Sequence, residues 1–413
     1  MRIAVIGAGI SGLTAAYLLH DQHQVTVFEA AAKPGGHTNT VAVASADGEQ
    51  QLDTGFIVFN DRNYPQFERL LSKLNVAWQP SEMSFSVSDR AGTFEYSSRS
   101  VNGLFACRRH ITSPSFYRMV AEVPRFQRAA QELLEQPSDE SLREWLQRKN
   151  FSVDFIERVI VPQVAAVWSA DPQQLWNFPA RFMAQFFNNH GMLSLRGRPR
   201  WRTISGGSAT YLRALTDGFA HHIQTGRRVD MVTRTPDHVE IKCPGSEAER
   251  FDHVVIATHS DQALELLGDP SPAEREILGA IPYQRNEVVL HTDTRLLPRR
   301  PRAWASWNYH LREQAATQTQ VTYDLNRLQS LSAREQYCVT LNLTNEVDPR
   351  KIIHSHVTAH PVYTPSGVAA QQRLTEISGS DRTHYCGAYW GWGFHEDGVL
   401  SGVRAAANFG AKL

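Results

Sequence analysis

Cysteine, net charge and long apolar runs are three things that this sequence has little of. The four cysteines lie far apart with no CxxC spacing, so neither a zinc site nor a disulfide framework is indicated, and a reducing, cytoplasmic setting is expected. The 42 Lys and Arg residues balance the 42 Asp and Glu residues, which leaves no electrostatic case for a nucleic-acid partner. No uninterrupted apolar run approaches ~20 residues, so no membrane-spanning helix is predicted.

What is present is typical of a large globular protein. The chain has 413 residues, 42% of them hydrophobic and 20% charged, which excludes wholesale disorder. Because typical domains have ~100–200 residues, two or three units or an interrupted arrangement are expected.

The start of the chain has the pattern of a strand, a glycine turn and a helix. The apolar run over residues 3–6 predicts a strand buried on both faces of a parallel sheet. GAGISG follows, with Gly7, Gly9 and Gly12 in the G-x-G-x-x-G spacing. These glycines allow a tight turn, the approach of a pyrophosphate, and close packing of strand and helix. The helix predicted over residues 13–20 would direct its N-terminal N–H groups at that pyrophosphate.

A second predicted strand, QVTVFEA, ends in an acidic residue, Glu29. A carboxylate at this place accepts hydrogen bonds from ribose hydroxyls and disfavours a 2′-phosphate. Strand, turn, helix, second strand and acid in this order predict a dinucleotide site, whereas a glycine turn that served only packing would not need the acid.

Two further glycine elements follow, Gly35-Gly36 in AAAKPGGHTNT and Gly55 in LDTGFIVFN. This order resembles the flavin-binding group that includes monoamine oxidases, phytoene desaturases and protoporphyrinogen oxidase. In that group the later glycines approach the ribityl and flavin region.

The rest of the chain mixes helical and strand patterns. Residues 64–160 are predicted to be helical and mixed, and strand character returns with the apolar run RVIVPQVAAVWS. WRTISGGSATYLRALTDGF predicts a strand, a glycine turn and a helix, IQTGRRVDMVTRTPDHVEIKC predicts a β-meander, and FDHVVIATHS predicts a buried strand. The glycine elements at 7–12, 35–36, 206–207 and 387–402 must converge on one long cofactor, so one domain is assembled from distant segments.

Together these motifs resemble the FAD-dependent amine-oxidase-like superfamily. More closely, the chain is similar to predicted NAD/FAD-binding oxidoreductases found in bacteria and as the N-terminal region of plant cyclopropane fatty acid synthases. The likeness runs through GAGISGL, PGGH, LDTGFIVFN, FSVS, AVWSA, GRPRWRTISGGS, AWASWNY, VTYDLN and GAYWGWGFHEDGVLSG.

The resemblance implies an α/β fold like that of monoamine oxidase or p-hydroxybenzoate hydroxylase. A discontinuous Rossmann-like FAD-binding domain is expected at residues 1–75, 200–270 and 378–413. A substrate domain built from a mixed sheet plus helices is expected at residues 76–199 and 271–377.

The resemblance also implies which residues hold FAD. The first three glycines and Glu29 would hold the ADP part, the backbone of Val229 would contact the adenine, and Asp397 would begin a helix aimed at the flavin's pyrimidine carbonyl. The expected FAD-binding residues are Gly7, Gly9, Ile10, Ser11, Gly12, Glu29, Gly35, Gly36, His37, Thr54, Gly55, Phe56, Val229, Gly387, Asp397, Gly398 and Val399.

The substrate side departs from the amine oxidases. The amine oxidases commonly have a lysine, bridged by water to the flavin, on a strand like QRNEVVLHTD. Glu287 to His291 contains no lysine, which weakens the case for amine oxidation. His291 is a candidate acid or base, with a packed histidine as the alternative. Trp390, Trp392 and His395 are the other candidate catalytic residues, and glycine-packed aromatics are the alternative for the tryptophans. HSHVTAH has no accompanying carboxylate or cysteine, so no metal is expected.

The expected function is that of an FAD-dependent oxidoreductase. The link to cyclopropane synthase implies an apolar, fatty-acyl or lipid-derived substrate that is oxidised by hydride transfer to flavin. The alternatives are a flavin-containing amine oxidase, a non-redox flavin isomerase, or a flavoprotein accessory to a lipid methyltransferase, which would then be its partner. The basic and apolar stretches CRRHITSPSFYRMVAEVPRFQR and RLLPRRPRAW suit peripheral contact with the inner face of a membrane, although a solvated protein face fits them as well.

Overall fold

The structure is a computed structural model that describes residues 1–136, 138–168, 174–194, 197–312 and 318–413. Its β-strands are β1 (Arg2–Ile6), β2 (Gln24–Phe28), β3 (Thr40–Ser45), β4 (Gly48–Asp53), β5 (Phe59–Asn60), β6 (Trp78–Pro80), β7 (Phe85–Asp89), β8 (Glu95–Ser97), β9 (Trp201–Ile204), β10 (Ile223–Gln224), β11 (Met231–Arg234), β12 (Val239–Lys242), β13 (Glu249–Phe251), β14 (His253–Ile256), β15 (Tyr283–His291), β16 (Trp307–Leu311), β17 (Val321–Asp324), β18 (Cys338–Leu341), β19 (Ile352–Pro361) and β20 (Thr383–Tyr385).

The α-helices alternate with these strands along the chain and pack on the two larger sheets, which are described below. They are α1 (Ile10–Leu19), α2 (Pro65–Lys73), α3 (Val101–Leu104), α4 (Pro114–Glu135), α5 (Leu142–Arg148), α6 (Val153–Phe155), α7 (Val161–Trp168), α8 (Ala180–Asn189), α9 (Ala209–Thr216), α10 (Ser260–Leu266), α11 (Pro272–Gly279), α12 (Leu325–Leu328), α13 (Pro365–Gln371) and α14 (His395–Ala407).

A five-stranded parallel sheet forms the first unit, in the order β10-β2-β1-β14-β20. Successive residues of its central strand β1 face opposite cores, as they must in a sheet covered on both sides. Ile3 and Val5 pack with α1 and α14, whereas Ala4 and Ile6 pack with the antiparallel sheet β11-β12-β13. The strands of the sheet come from three distant parts of the chain.

A seven-stranded mixed sheet forms the second unit, in the order β19-β15-β18-β17-β16-β7-β8. Val87, Tyr309 and Val321 on one face pack against α4, α5, α7 and α8, and Val288 and Leu290 on the other face pack in a separate core. All of its strands lie within residues 76–199 and 271–377. β6, in the same range, pairs instead with β9. The domain boundaries themselves therefore stay a prediction.

Several local predictions are confirmed. WRTISGGSATYLRALTDGF forms β9, a turn with φ of +76° at Gly206 and +84° at Gly207, and α9. Within the predicted meander, β11 and β12 pair antiparallel as expected, and β13 joins them from outside that stretch. Ile223–Gln224, at its start, instead forms β10 of the parallel sheet. The first helix begins at Ile10, three residues earlier than expected, because the helix starts directly behind the second glycine of the turn.

One prediction is wrong, and another lacks detail that the structure supplies. RVIVPQVAAVWS is helical, with a π-helical turn at Ile156–Ile160 that continues into α7, because a buried helix and a buried strand have the same short apolar run. Ser169 and Ala170, which end the AVWSA motif, lie outside the described residues. Within residues 64–160, the strands β6, β7 and β8 interrupt the helices. β7 pairs with β16, a distant partner that no local pattern reveals.

Candidate cofactor and substrate site

One cavity of about 1930 Å³ lies between the two sheets and the helices α4, α7 and α8. Pockets for a single small ligand have volumes of ~300–1,000 Å³. The cavity therefore has room for a long cofactor and a substrate together.

The glycine turn after β1 forms one end of this cavity. Gly7 has a φ of +103°, and a Cβ there would lie 2.9 Å from the carbonyl oxygen of Ala257. A Cβ at Gly9 would meet no atom within 4 Å, and Gly9 lines the cavity. A Cβ at Gly12 would lie 2.0 Å from the carbonyl oxygen of Gly7, inside the packed turn. No side chain caps α1, so its first N–H groups are available to an anion that approaches over Gly9.

Glu29 is fixed at the same end of the cavity by two backbone groups. Its carboxylate accepts hydrogen bonds from the N–H of Ala8 and the N–H of Ala31, each at 2.8 Å. An ionised carboxylate has about four lone-pair sites, so capacity remains for the hydroxyls of a ribose. The N–H of Arg227 donates to the carbonyl oxygen of Glu29 at 2.8 Å, which brings the segment of Val229 to the cavity wall beside it.

The Gly35-Gly36 turn lies directly over the first glycine turn. The N–H of Gly35 donates to the carbonyl oxygen of Ala8 at 2.8 Å, and Gly36 has a φ of +58° with its Cβ position 3.2 Å from the Cα of Gly9. Side chains at these glycines would separate the two turns. The turns thus form one continuous backbone surface at this end of the cavity.

His37 connects that surface to the second sheet. Its Nε2 is 2.7 Å from the Oγ1 of Thr358 on β19, and its ring centroid lies 5.2 Å from that of His360 and 6.0 Å from that of His259. Burial, with a smaller contribution from His259, lowers the pKa of His37 to about 4. His37 is therefore neutral at pH 7.

His395 lies where the cofactor end meets the rest of the cavity. Its ring stacks on Phe56 with centroids 3.5 Å apart and an interplanar angle of 11°. Its Nε2 is 3.1 Å from the Oγ1 of Thr38 and 3.0 Å from the hydroxyl of Tyr211. Burial lowers the pKa of His395 well below the usual value. Thr38 and Tyr211 were not predicted, because no spacing in the sequence relates them to His395.

The C-terminal helix α14 begins at His395, two residues before the predicted start at Asp397. The Asp397 carboxylate accepts a hydrogen bond from the N–H of Phe394 at 2.9 Å and so caps its own helix, and burial raises its pKa to about 7. A Cβ at Gly398 would lie 2.6 Å from the Cγ2 of Ile10, and Val399 is fully buried. Gly398 and Val399 pack α14 against α1, and neither they nor Asp397 line the cavity.

Most of the expected FAD contacts converge on the cavity wall. Those that line it are Gly7, Gly9, Ile10, Ser11, Glu29, Gly35, Gly36, His37, Thr54, Gly55, Phe56, Val229 and Gly387. Gly12, Asp397, Gly398 and Val399 do not line it. The open approach at Gly9, the uncapped α1 and the oriented Glu29 carboxylate fit the diphosphate and ribose of FAD.

Of the four catalytic candidates, Trp392 and His395 line the cavity and His291 and Trp390 do not. His291 is completely buried, with its Nε2 2.7 Å from the Oγ1 of Thr340 and its Nδ1 accepting a hydrogen bond from a backbone N–H at 3.0 Å. Both of its ring nitrogens are therefore engaged in holding the sheet. Trp390 packs in the core beside the first sheet, 4.9 Å from Tyr389 between ring centroids.

The far half of the cavity is apolar and aromatic. Its wall includes Trp168 and Phe186, whose ring centroids lie 4.7 Å apart, together with Tyr363 and Trp392. Every carboxylate in the described wall belongs to the cofactor end. These carboxylates are Glu29, Asp230, Asp261 and Glu265.

The histidines of HSHVTAH alternate along β19 and face the cavity, as residues i and i+2 of a strand do. Within the described ranges, no three His, Cys, Asp or Glu side chains are grouped so that they could hold a metal ion. The described residues also contain no helix that is long and apolar enough to cross a membrane.

Solved structures with similar folds cover nearly the whole chain. Cyclohexylamine oxidase from Brevibacterium oxydans IH-35A is 16% identical, with a TM-score of 0.72 over 98% of both chains. A putative protoporphyrinogen oxidase from Exiguobacterium sp. 255-15 is 14% identical, with a TM-score of 0.68 over 99% of this chain and 98% of that one. A CLA-producing fatty acid isomerase from P. acnes is 15% identical, with a TM-score of 0.66 over the same shares. At these identities the likeness shows the fold.

No curated protein sequence gives a significant match. A family model does, however, and its description is flavin containing amine oxidoreductase, matched over residues 10–408. This match includes most of the glycine and acidic elements that converge on the cavity. The chain therefore belongs to the flavin-containing amine oxidoreductase family and is an FAD-dependent oxidoreductase.

Proposed function

We propose that the substrate is an apolar molecule, fatty-acyl or lipid-derived, that lies in the far half of the cavity. The observation that carries this proposal is the composition of the wall, which is rich in aliphatic and aromatic side chains and, away from the cofactor end, contains no carboxylate among the described residues.

The apolar wall favours an acyl chain because each buried methylene contributes ~0.8 kcal/mol. Val120 and Val123 on α4, Phe155, and Ile160 provide such contacts along one side. An alkylammonium group would instead lose its hydration without gaining a carboxylate partner, which is unfavourable. The described wall also contains no lysine, in agreement with the expectation from β15.

The size of the cavity leaves room for such a substrate beside FAD. At about 1930 Å³ it exceeds the upper end of single-ligand pockets, ~1,000 Å³, by a wide margin. Among proteins of the same fold, the isomerase from P. acnes is described as acting on fatty acids, so this fold can enclose such chains.

When bound, FAD supplies the two-electron acceptor for the oxidation. Trp392 lies in the wall of the far half and His395 lies where the two halves of the cavity meet, so the reacting carbon would be positioned between them. The hydroxyls of Thr38 and Tyr211 hold the His395 ring in place.

Anaerobic mixing tests the proposal. Purified protein loaded with FAD is mixed with fatty acids, acyl lipids and primary amines, and the flavin absorbance is followed. We expect bleaching by an acyl compound. A Val123→Trp variant, which fills the acyl half, should lose this response, whereas Val153→Trp at a position that is 67% exposed should retain it. Bleaching by amines and by no acyl compound would contradict the proposal.

Amine oxidation is the second candidate function. The aromatic faces of Trp168, Phe186 and Trp392 can attract a cation without a carboxylate, and cyclohexylamine oxidase has the same fold.

Turnover that needs reduced flavin without net oxidation would instead identify an isomerase. Absence of any reaction, together with co-purification of a lipid methyltransferase, would identify an accessory flavoprotein.

A further inference from the structure

The helices α3 and α4 and the turn between them form an exposed surface that is both basic and apolar. Val101 is 76% exposed, and Ile111 and Tyr117 are each 49% exposed, which is unusual for large apolar side chains. Exposed arginines surround them. We call this set, consisting of Val101, Arg108, Arg109, Ile111, Tyr117, Arg118 and Arg302, the α3–α4 surface.

Contacts between neighbouring segments hold this surface together. Arg108 donates to the side-chain oxygen of Asn102 at 2.6 Å and so lies against α3. The ring of Phe105 at the end of α3 lies 5.8 Å from that of Tyr117 on α4. A Cβ at Gly103 would lie 3.1 Å from the carbonyl oxygen of Arg302, which places the 301–303 turn against α3.

The charge of the surface is concentrated and of one sign. Residues 98–121 contain four arginines and no Asp or Glu, in a chain whose net charge is zero. Among the described residues, no acidic side chain forms an ion pair with Arg108, Arg109, Arg118 or Arg302. The nearby carboxylates are engaged elsewhere, Glu82 with Arg99 and Glu95 with Arg300.

The inner side of the same two helices is a wall of the cavity. Leu104 on α3 and Met119, Val120 and Val123 on α4 line it. A helix with its side chains is ~10 Å thick, so one layer of structure separates the exposed surface from the apolar half of the cavity.

We propose that the α3–α4 surface docks on a bilayer that contains anionic lipid. Exposed apolar side chains insert at the boundary of headgroups and acyl chains, and the arginines bind the lipid phosphates, the combination that interfacial segments use. Docking on this side places the apolar half of the cavity next to the lipid phase. The inference concerns binding alone and does not depend on the substrate.

Vesicle flotation of the FAD-loaded protein tests this inference. We expect binding to vesicles of phosphatidylcholine mixed with phosphatidylglycerol and little binding to phosphatidylcholine alone. The variant Arg108→Gln, Arg109→Gln, Arg118→Gln should weaken binding by roughly a hundredfold, because each arginine near an anionic surface contributes about fivefold. Ile111→Asp with Tyr117→Asp should also reduce binding.

Matched controls replace equally exposed residues on other faces. Arg334→Gln with Arg350→Gln, at side chains that are 88% and 89% exposed, and Met231→Asp should bind as the unaltered protein does. Thermal melts should differ little between variants and flavin absorbance should be the same, since all the altered side chains are exposed and the bonds lost by Arg108, Arg334 and Arg350 lie at the surface. Three outcomes would each overturn the proposal. The first is equal binding to vesicles with and without phosphatidylglycerol, and the second is equal binding by the arginine variant and its control. The third is that the protein prefers an added oligonucleotide to the vesicles.

Discussion

Alanine substitutions at Gly9 and Gly12 should separate cofactor binding from folding. A methyl group at Gly9 would enter open space at the cavity wall, whereas a methyl group at Gly12 would lie 2.0 Å from the carbonyl oxygen of Gly7. Gly9 has a φ of −79°, which alanine adopts freely. Both residues belong to the same turn, so each variant serves as the control for the other.

The magnitudes follow from these two environments. Gly9→Ala should leave the apo-protein as stable as before or stabilise it by ~0.4–1 kcal/mol, because alanine restricts the unfolded chain. It should weaken FAD binding by about tenfold or more, or ~1.4 kcal/mol, because the diphosphate must approach this backbone closely. Gly12→Ala needs a shift of the turn, and such overpacking costs ~1–3 kcal/mol or more of folding free energy.

Two measurements distinguish the variants. Thermal unfolding without FAD should show a lowered Tm for Gly12→Ala alone. A titration that follows the quenching of FAD fluorescence should show weakened binding for Gly9→Ala. If Gly9→Ala binds FAD as tightly as the unaltered protein, the diphosphate does not pass over Gly9. If Gly9→Ala unfolds at as low a temperature as Gly12→Ala, a side chain at residue 9 does not enter open space.

Three further substitutions probe hydrogen-bonded side chains. Glu29→Gln should destabilise the apo-protein by ~1–3 kcal/mol and also weaken FAD binding, because an amide NH₂ would then face a backbone N–H donor. If thermal unfolding and the FAD titration are both unchanged, Glu29 does not belong to the site. His291→Phe should lower the unfolding free energy by a similar ~1–3 kcal/mol, while turnover per bound flavin stays constant. If turnover is lost and stability is unchanged, His291 has a catalytic role after all. Burial raises the pKa of Asp53 to about 7, so the folded state binds a proton more tightly than the unfolded chain. The contribution of Asp53 to the unfolding free energy should therefore fall between pH 4 and pH 7 as pH rises, by up to roughly 4 kcal/mol. In denaturant titrations, the difference between the unaltered protein and Asp53→Asn should show this slope.

The cofactor end of the site could be predicted from the sequence because its chemistry is local. The spacing of Gly7, Gly9 and Gly12 fixes a turn, and a strand that ends in Glu29 places an acid beside that turn. These relations depend on residues that are close in the chain, so they can be recognised without a structure.

The substrate end could not be predicted because its contacts are distant in the chain. His395 contacts Thr38 across 357 positions and Tyr211 across 184. The strand pattern around His291 is typical of a cavity wall and of a core alike. Only the pairing of β15 with β18 shows that the His291 ring contacts Thr340. The absence of carboxylates from the apolar wall likewise becomes visible only when α4, α7 and α8 are brought together.

The order of strands in the parallel sheet sets when the protein can acquire its cofactor during synthesis. Val5 of β1 pairs with Val255 of β14, and Ile256 of β14 pairs with Tyr385 of β20. While a ribosome is still translating the middle of the message, β1 has β2 beside it, but β14 and β20 have not been made, and α14 is not there to cover α1. A nascent chain released before β20 should be unable to retain flavin and should present a bare strand edge to chaperones. Cofactor capture is thus a late event, after nearly the whole chain has been made.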